Sequence, residues 1–134
     1  MFLDDMKATI EGISGVTETV FPAHEPEGSD TAIMVYETGG GETWRASDSS
    51  PGGGLERPRL QVQVRNISYA TARTQLAKVI QGLDHWSGTV NSTKYHYCRL
   101  TTNARSLKRD KSPTSTLVIR HYVYAEFELI KDFS

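Results

Sequence analysis

Two stretches of the chain alternate between apolar and polar residues, and this period of two constrains the fold more than any other feature. In residues 57–67, Leu60, Val62 and Val64 fall on one side of the chain. Side chains of a β-strand alternate between the two faces of its sheet, so the pattern predicts a half-buried strand. Residues 117–130 alternate in the same way, with His121 interrupting the apolar side. The opposite sides are expected to be open and polar, carrying Gln61, Gln63, Arg65, Tyr122, Tyr124, Glu126 and Glu128.

A long amphipathic helix is predicted between these two strands. Ser68 is suited to cap its beginning, and the helical pattern continues to about His85. Its apolar residues recur at intervals of three and four, which is typical of a helix that lies on a sheet. They are Ala72, Leu76, Val79, Ile80 and Leu83.

The remaining segments complete an α+β domain. A short helix is predicted at 1–13, a turn at 87–93, and further strands at 16–21, 31–36 and 95–102. The chain of 134 residues fits a single domain with its own core. We therefore expect an antiparallel or mixed sheet of about four to five strands, with the long helix packed on one face.

Two segments are predicted to be mobile loops. Residues 38–54 hold six glycines and a single large apolar residue, Trp44, so they bury too little surface to offset their ordering entropy. This segment lacks the spacing of a phosphate-binding glycine loop, which argues against nucleotide binding. Residues 103–115 form the second predicted loop. It is basic, with Arg105, Lys108, Arg109 and Lys111 against one acid.

Charge is distributed unevenly along the chain. The formal net charge is −1, yet residues 1–56 sum to −9 and residues 57–134 sum to +8. Such asymmetry indicates a partner surface, which could be nucleic acid, another protein or a second copy of the chain. Alternatively, folding intermixes the two halves.

The sequence offers little support for catalysis or for a bound cofactor. The single cysteine, Cys98, is expected to be a small core residue, although His96 would share its face on a regular strand. The four histidines lack metal-ligand spacing, and no second cysteine supports a zinc site. His121 is expected to be a hydrogen-bonded core or edge residue. We predict no enzyme activity, no metal and no cofactor.

No apolar run approaches the roughly 20 residues needed to span a bilayer. The first ten residues carry acids where a signal peptide would carry basic residues. These features predict synthesis in the cytoplasm and no membrane partner.

Nucleic-acid binding is an alternative that the basic segment 103–115 leaves open. Its four bases could meet phosphates, with Tyr95 and Tyr97 nearby in sequence. The sequence pI of about 6.4 argues against a dedicated DNA-binding protein. A basic patch facing a lumen through which DNA passes would still fit.

The order of segments resembles the minor capsid and tail terminator proteins of tailed phages. The resemblance is carried by VYETGG at 35–40, the loop that follows, and ERPRLQVQVRNISYATARTQLAKVIQGL at 56–83. In those families a strand ending near a glycine pair, a loop, an RPxxQVxVR strand and an SYxxA helix occur in the same order. The resemblance covers the middle third of the chain.

The resemblance implies a structural virion protein at the neck or tail end, assembled in the host cytoplasm. Such proteins form rings, typically sixfold, that cap the tail tube, stop its elongation and present a surface to head-tail connector or stopper proteins. A head-completion or neck adaptor protein is the alternative, with DNA present only as it passes through the lumen. Residues 103–115 would face that lumen or a partner. Candidate contacts with a neighbouring subunit or the tube are Arg59, Gln61, Gln63, Arg65, Tyr122 and Tyr124.

Overall fold

The computed structural model describes residues 2–39, 43–44, 54–113 and 115–132. Its two helices are α1 (Phe2–Glu11) and α2 (Tyr69–Leu83). The strands in chain order are β1 (Val20–Pro22), β2 (Ala32–Glu37), β3 (Thr43–Trp44), β4 (Leu55–Glu56), β5 (Arg59–Asn66), β6 (Gly88–Val90), β7 (Thr93–Ser112) and β8 (Ser115–Asp132).

All eight described strands belong to one mixed sheet. The strand order begins β1-β2-β5-β8. One edge of β8 pairs with β5 and, further along, with β4. The other edge of β8 pairs with β7. The β1–β2 pair is parallel and the other pairs are antiparallel. Helix α1 packs near β1 and β2, whereas α2 packs over β5, β8 and β7. The α+β class is as predicted, but the sheet has more strands than the four to five expected.

The core lies between the two helices and the sheet, as the alternation and the helical stripe predicted. Ser68 caps α2, its side chain accepting a hydrogen bond from the Thr71 backbone N–H at 3.2 Å. Fully buried side chains come from α1, β2, β5, α2, β7 and β8. Those of the central layer are Leu60, Val62, Val64, Ala72, Leu76, Val79, Leu83, Val123, Ala125, Phe127 and Leu129.

The prediction that residues 103–115 form a loop is wrong for most of the segment. Residues 103–112 continue β7, which pairs with β8 as far as Ser112. Polar residues have weak intrinsic strand preference, so this segment did not suggest a strand. The long neighbouring strand β8 supplies the backbone partners that hold it in the sheet.

Three shorter segments also differ from the sequence-based expectation. The turn predicted at 87–93 contains strand β6, which pairs with the beginning of β7. The predicted strand 16–21 narrows to Val20–Pro22. Within the predicted loop 38–54, Thr43–Trp44 forms β3, while residues 40–42 and 45–53 lie outside the described part of the chain.

Neither helix in the described residues is long and apolar enough to cross a membrane.

Candidate interaction face

The sheet face opposite the helices, called the polar face below, is built from cross-strand rows. Directly opposed residues of antiparallel strands project from the same face, so strand register shows which side chains lie together. Strand β8 lies between β5 and β7 and joins their residues into rows. The four rows are Arg59–Glu128–Arg99, Gln61–Glu126–Thr102, Gln63–Tyr124–Arg105 and Arg65–Tyr122–Lys108.

These rows place all six predicted contact residues on one face. They also add Arg99, from the strand predicted at 95–102, and Arg105, from the loop predicted at 103–115. Only the pairing of β7 with β8 shows that these residues lie together, and the local sequence around them does not predict that pairing.

At one end of the polar face, three arginines converge on a single carboxylate. Glu128 Oε1 lies 3.0 Å from Arg57 Nη2 and 3.2 Å from Arg99 Nη2. Arg59 Nε lies 3.8 Å from the second oxygen, Oε2. Glu128 was expected on an open strand face but is only 8% exposed, because the guanidinium groups cover it. Beside Glu128, a cleft of about 390 Å³ is lined by Arg59, Arg99 and Glu126.

The middle of the polar face is amide-rich on β5, with Glu126 and Arg105 in the same two rows. Gln63 Nε2 donates a hydrogen bond to Gln61 Oε1 at 2.7 Å, which aligns the two amides along β5. Both side chains and that of Tyr124 are half-buried. Flat, half-exposed aromatic and amide groups of this kind suit contact with another protein surface.

At the other end, Arg65 is a buried structural residue rather than an open contact residue. It is 1% exposed and lies beneath the chain segment 25–29. Its Nη2 donates to the carbonyl oxygens of Pro26, at 2.5 Å, and of Ser29. Its Nη1 lies 3.4 Å from the Tyr122 hydroxyl and 3.6 Å from Glu25 Oε1. The expectation that Arg65 is an open contact residue is therefore wrong.

Tyr122 is likewise buried, at 1% exposed, so it too differs from the expectation. Burial raises its pKa to about 12. Its hydroxyl donates to Asp110 Oδ2 at 3.0 Å, and Lys108 Nζ lies 4.6 Å from the centre of its ring. Tyr122 thus joins the sheet to the end of the β7–β8 hairpin.

A bidentate ion pair strengthens this end of the hairpin. Arg120 donates from Nε and Nη2 to the two carboxylate oxygens of Asp110, at 2.8 and 2.7 Å. The Arg120 guanidinium holds the pKa of Asp110 below its ordinary value. Together with Arg65, Lys108 and the segment 25–27, the pair borders a cleft of about 460 Å³. Three acids and three bases line this cleft, so their formal charges balance.

The four bases predicted to form one basic loop are divided between two faces of the hairpin. Arg105 and Lys108 stand opposite Tyr124 and Tyr122 on the polar face. Arg109 stands opposite His121, which contacts Tyr69 of α2 and so marks the helix side. Lys111 stands opposite Ile119 on that same side. The structure therefore does not gather the four bases into one patch.

Cys98 and His96 do not form a reactive pair. A shift in register between Tyr95 and Tyr97 breaks the alternation of β7. His96 is exposed, with its Nε2 2.7 Å from Asp132 Oδ1, whereas Cys98 is fully buried. Burial raises the pKa of the Cys98 thiol to about 12, which keeps it protonated at neutral pH. Among the described residues, no group of histidine, cysteine and acidic side chains could hold a metal ion.

The acidic and basic halves of the chain intermix at several points. Glu25 lies 3.6 Å from Arg65 and 3.9 Å from Lys108, and Glu56 lies 3.3 Å from Lys131. The asymmetry in sequence is therefore partly neutralised within the folded chain.

A likeness to a solved structure supports the fold. The chain matches one in "Virion of native gene transfer agent (GTA) particle", with a TM-score of 0.52 and 15% sequence identity. The match covers 94% of this chain and 84% of that chain. No protein family model matches the sequence, and no curated protein matches it. At this identity the likeness shows a shared fold.

Proposed function

We propose that this chain is a non-enzymatic structural protein of a phage-like particle, and that it acts as a ring-forming tail terminator. The observation that carries the proposal is the fold likeness to a chain of a gene transfer agent virion over 94% of the present chain. The order of segments at 35–40 and 56–83, which resembles tail terminator proteins, supports the finer role. In this role the ring, a hexamer in our proposal, caps the tail tube and offers its other side to the head connector or stopper proteins.

The polar face is suited to such a role because it combines charge with flat neutral surface. The end of this face at Glu128 carries the exposed side chains of Arg59 and Arg99 beside Glu126. The middle of the face carries Gln61, Gln63 and Tyr124. Charged groups beside neutral amide and aromatic groups favour a defined orientation of a protein partner. We propose Arg59, Gln61, Gln63 and Tyr124 as contacts with a neighbouring subunit or with the tube.

A dedicated nucleic-acid-binding module is less well supported. Such a module needs phosphate-binding cations on one continuous surface. Here the four hairpin bases divide between two faces, and acids accompany those on the polar face. We propose that DNA meets this protein only while passing through the ring.

Electron microscopy of particles assembled without this chain would test the proposed role. A missing tail terminator leaves tube growth unchecked, so overlong tails are expected. Tails of normal length with unfilled or leaking heads would contradict tail termination and point to the neck adaptor instead.

A pair of matched variants would then test the polar face. Gln63→Lys adds a positive charge in the middle of that face, and Gln81→Lys makes the same change on the exposed side of α2. Particles with Gln63→Lys should show more overlong tails than particles with Gln81→Lys. Equal tail lengths in the two would contradict a contact through the polar face.

A further inference from the structure

The Glu128 carboxylate is surrounded by more hydrogen-bond donors than it can accept from. Its Oε1 accepts from Arg57 and Arg99, while Arg59 Nε lies 3.8 Å from Oε2, beyond hydrogen-bond distance. A carboxylate has about four acceptor positions, whereas each guanidinium group has five N–H donors. In the described part of the chain, Arg59 and Arg99 make no other hydrogen bond or ion pair. Most of their donors are therefore open to a further acceptor.

These two arginines stand on opposite sides of the cleft beside Glu128. They flank Glu128 in one cross-strand row, so their backbones are two strand spacings, or roughly 10 Å, apart. Their side chains are 60% and 55% exposed. The cleft of about 390 Å³ falls within the range of small-ligand sites, so it has room for a whole side chain.

Three threonines add neutral hydrogen-bond donors to the same cleft. Thr38 is held beside β5 because its backbone N–H donates to Arg59 O at 3.0 Å. A register shift between Leu100 and Thr102 breaks the alternation of β7, and both Thr101 and Thr102 line the cleft. Hydroxyl and guanidinium donors together form a set that suits an anionic oxygen ligand.

The charges around the cleft limit the charge of that ligand. The three guanidinium groups around Glu128 face two carboxylates, Glu126 and Glu128, which leaves a local balance of +1. DNA brings one negative charge per roughly 1.7 Å of helix axis, and both acids would repel it. A single carboxylate brings one negative charge, and its two oxygens match the planar donor pair of a guanidinium group.

The surface beside the cleft indicates what carries this carboxylate. Gln61, Gln63 and Tyr124 lie on the same face in the neighbouring rows, and they are half-buried. Amide and aromatic groups of this kind suit contact with a protein surface. The carboxylates that a protein surface offers are those of aspartate and glutamate side chains.

We propose that the cleft between Arg59 and Arg99 binds an aspartate or glutamate side chain of the protein that covers the polar face. This inference rests on the proposed contact through that face and names the chemical group that anchors it. Arg59 and Arg99 donate to the incoming carboxylate, so the three guanidinium groups then serve two carboxylates instead of one.

Titration of the isolated chain with a blocked glutamate tests the cleft without any partner protein. The probe is N-acetylglutamate N-methylamide, whose only charge is its side-chain carboxylate, and sodium chloride at equal ionic strength is the reference. The readout is the NMR signal of each arginine Nε–H group. Arg109 is the matched control, because it is exposed on the helix side of the hairpin and has no ion pair in the described chain.

We expect the Arg59 and Arg99 signals to shift along saturating curves, several-fold further than the Arg109 signal. Arg99→Ala should remove the saturable shift at Arg59, whereas Arg109→Ala should leave it unchanged. Shifts that sodium chloride reproduces, or that Arg109 shares, would refute the cleft as a binding site. Dimethyl phosphate carries the same single charge as the probe, and tighter binding of this phosphate would refute a carboxylate as the ligand.

Assembly gives a second readout and separates the possible partners. Arg99→Ala should weaken the contact by about tenfold relative to Arg109→Ala. The loss appears in light scattering of the chain alone if a second copy supplies the carboxylate, and in sedimentation with tail tubes if the tube does. Equal behaviour of the two variants in both assays would contradict an anchoring carboxylate.

The two assays also distinguish failure of this inference from failure of the proposed function. If the blocked glutamate binds but the chain neither self-associates nor binds tail tubes, the proposed function fails and the cleft stands. If the chain forms rings that cap tubes but the blocked glutamate does not bind, the cleft is refuted and the proposed function stands.

Discussion

Replacing Arg65 by Met should destabilise the fold strongly, although Arg65 belongs to the face proposed for contact. The side chain is 1% exposed and donates to two backbone carbonyls, those of Pro26 and Ser29. Hydrogen bonds to charged groups contribute roughly 1.5–3 kcal/mol each, and the cost of burying the guanidinium offsets part of that gain. The expected loss in free energy of unfolding is therefore about 2–4 kcal/mol, against about 5–15 kcal/mol for a whole domain.

Urea unfolding at neutral pH, followed by circular dichroism, measures this loss directly. Arg105→Met is the matched control, because Arg105 is exposed on the same face and should change stability by less than about 0.5 kcal/mol. Hydrogen exchange should also show residues 25–29 opening in Arg65→Met, since their anchor is gone. A loss below about 0.5 kcal/mol in Arg65→Met would refute the structural role assigned to this arginine.

Three further predictions concern groups buried elsewhere. Glu128→Ala should lower the free energy of unfolding by about 2–4 kcal/mol in urea titrations, because three arginines lose their shared carboxylate; a loss no larger than that of Arg99→Ala would contradict this. Cys98 should react with maleimide only on unfolding, since a pKa of about 12 leaves roughly 10⁻⁴ thiolate at pH 8; rapid native labelling would be the opposite result. Burial raises the pKa of Glu18 despite the hydrogen bond from Asn66, so its ionisation costs stability as pH rises through that pKa. Glu18→Gln should therefore stabilise the chain at pH 7, and in urea titrations the gain should disappear as the pH falls through the raised pKa to the ordinary value of 4.5; a gain independent of pH would count against it.

The parts of the fold that follow from local pattern could be predicted from the sequence. Alternation located β5 and the buried side of β8, and spacing with a Ser68 cap located α2. These signals work because burial of one face imposes a period of two or 3.6 on apolar residues. The burial that the same alternation predicts for Leu117 and Ile119 is wrong, because the alternation continues past the end of the core and leaves both side chains exposed.

The remaining features depend on distant parts of the chain. Residues 103–112 form a strand because β8 lies beside them, and no local preference of their own indicates it. Arg65 is buried because segment 25–29 folds over the sheet, a contact across more than 35 positions. One irregularity after Tyr95 separates Cys98 from His96, and a regular strand pattern cannot reveal it.

The candidate site shows the same division. Four of the six predicted contact residues, Arg59, Gln61, Gln63 and Tyr124, are at least partly accessible on the polar face. The other two, Arg65 and Tyr122, are buried by tertiary structure. Register alone shows that Arg99 and Arg105 join this face, because pairing of β7 with β8 was not evident in the sequence.

Native mass spectrometry of the chain, alone and after incubation with tail tubes, tests the central claim most directly. A structural protein that terminates a tail as a ring should give one defined oligomer, a hexamer in our proposal, with tubes capped by it and no longer growing. A monomer under both conditions, with tubes that continue to elongate, would contradict the proposed function.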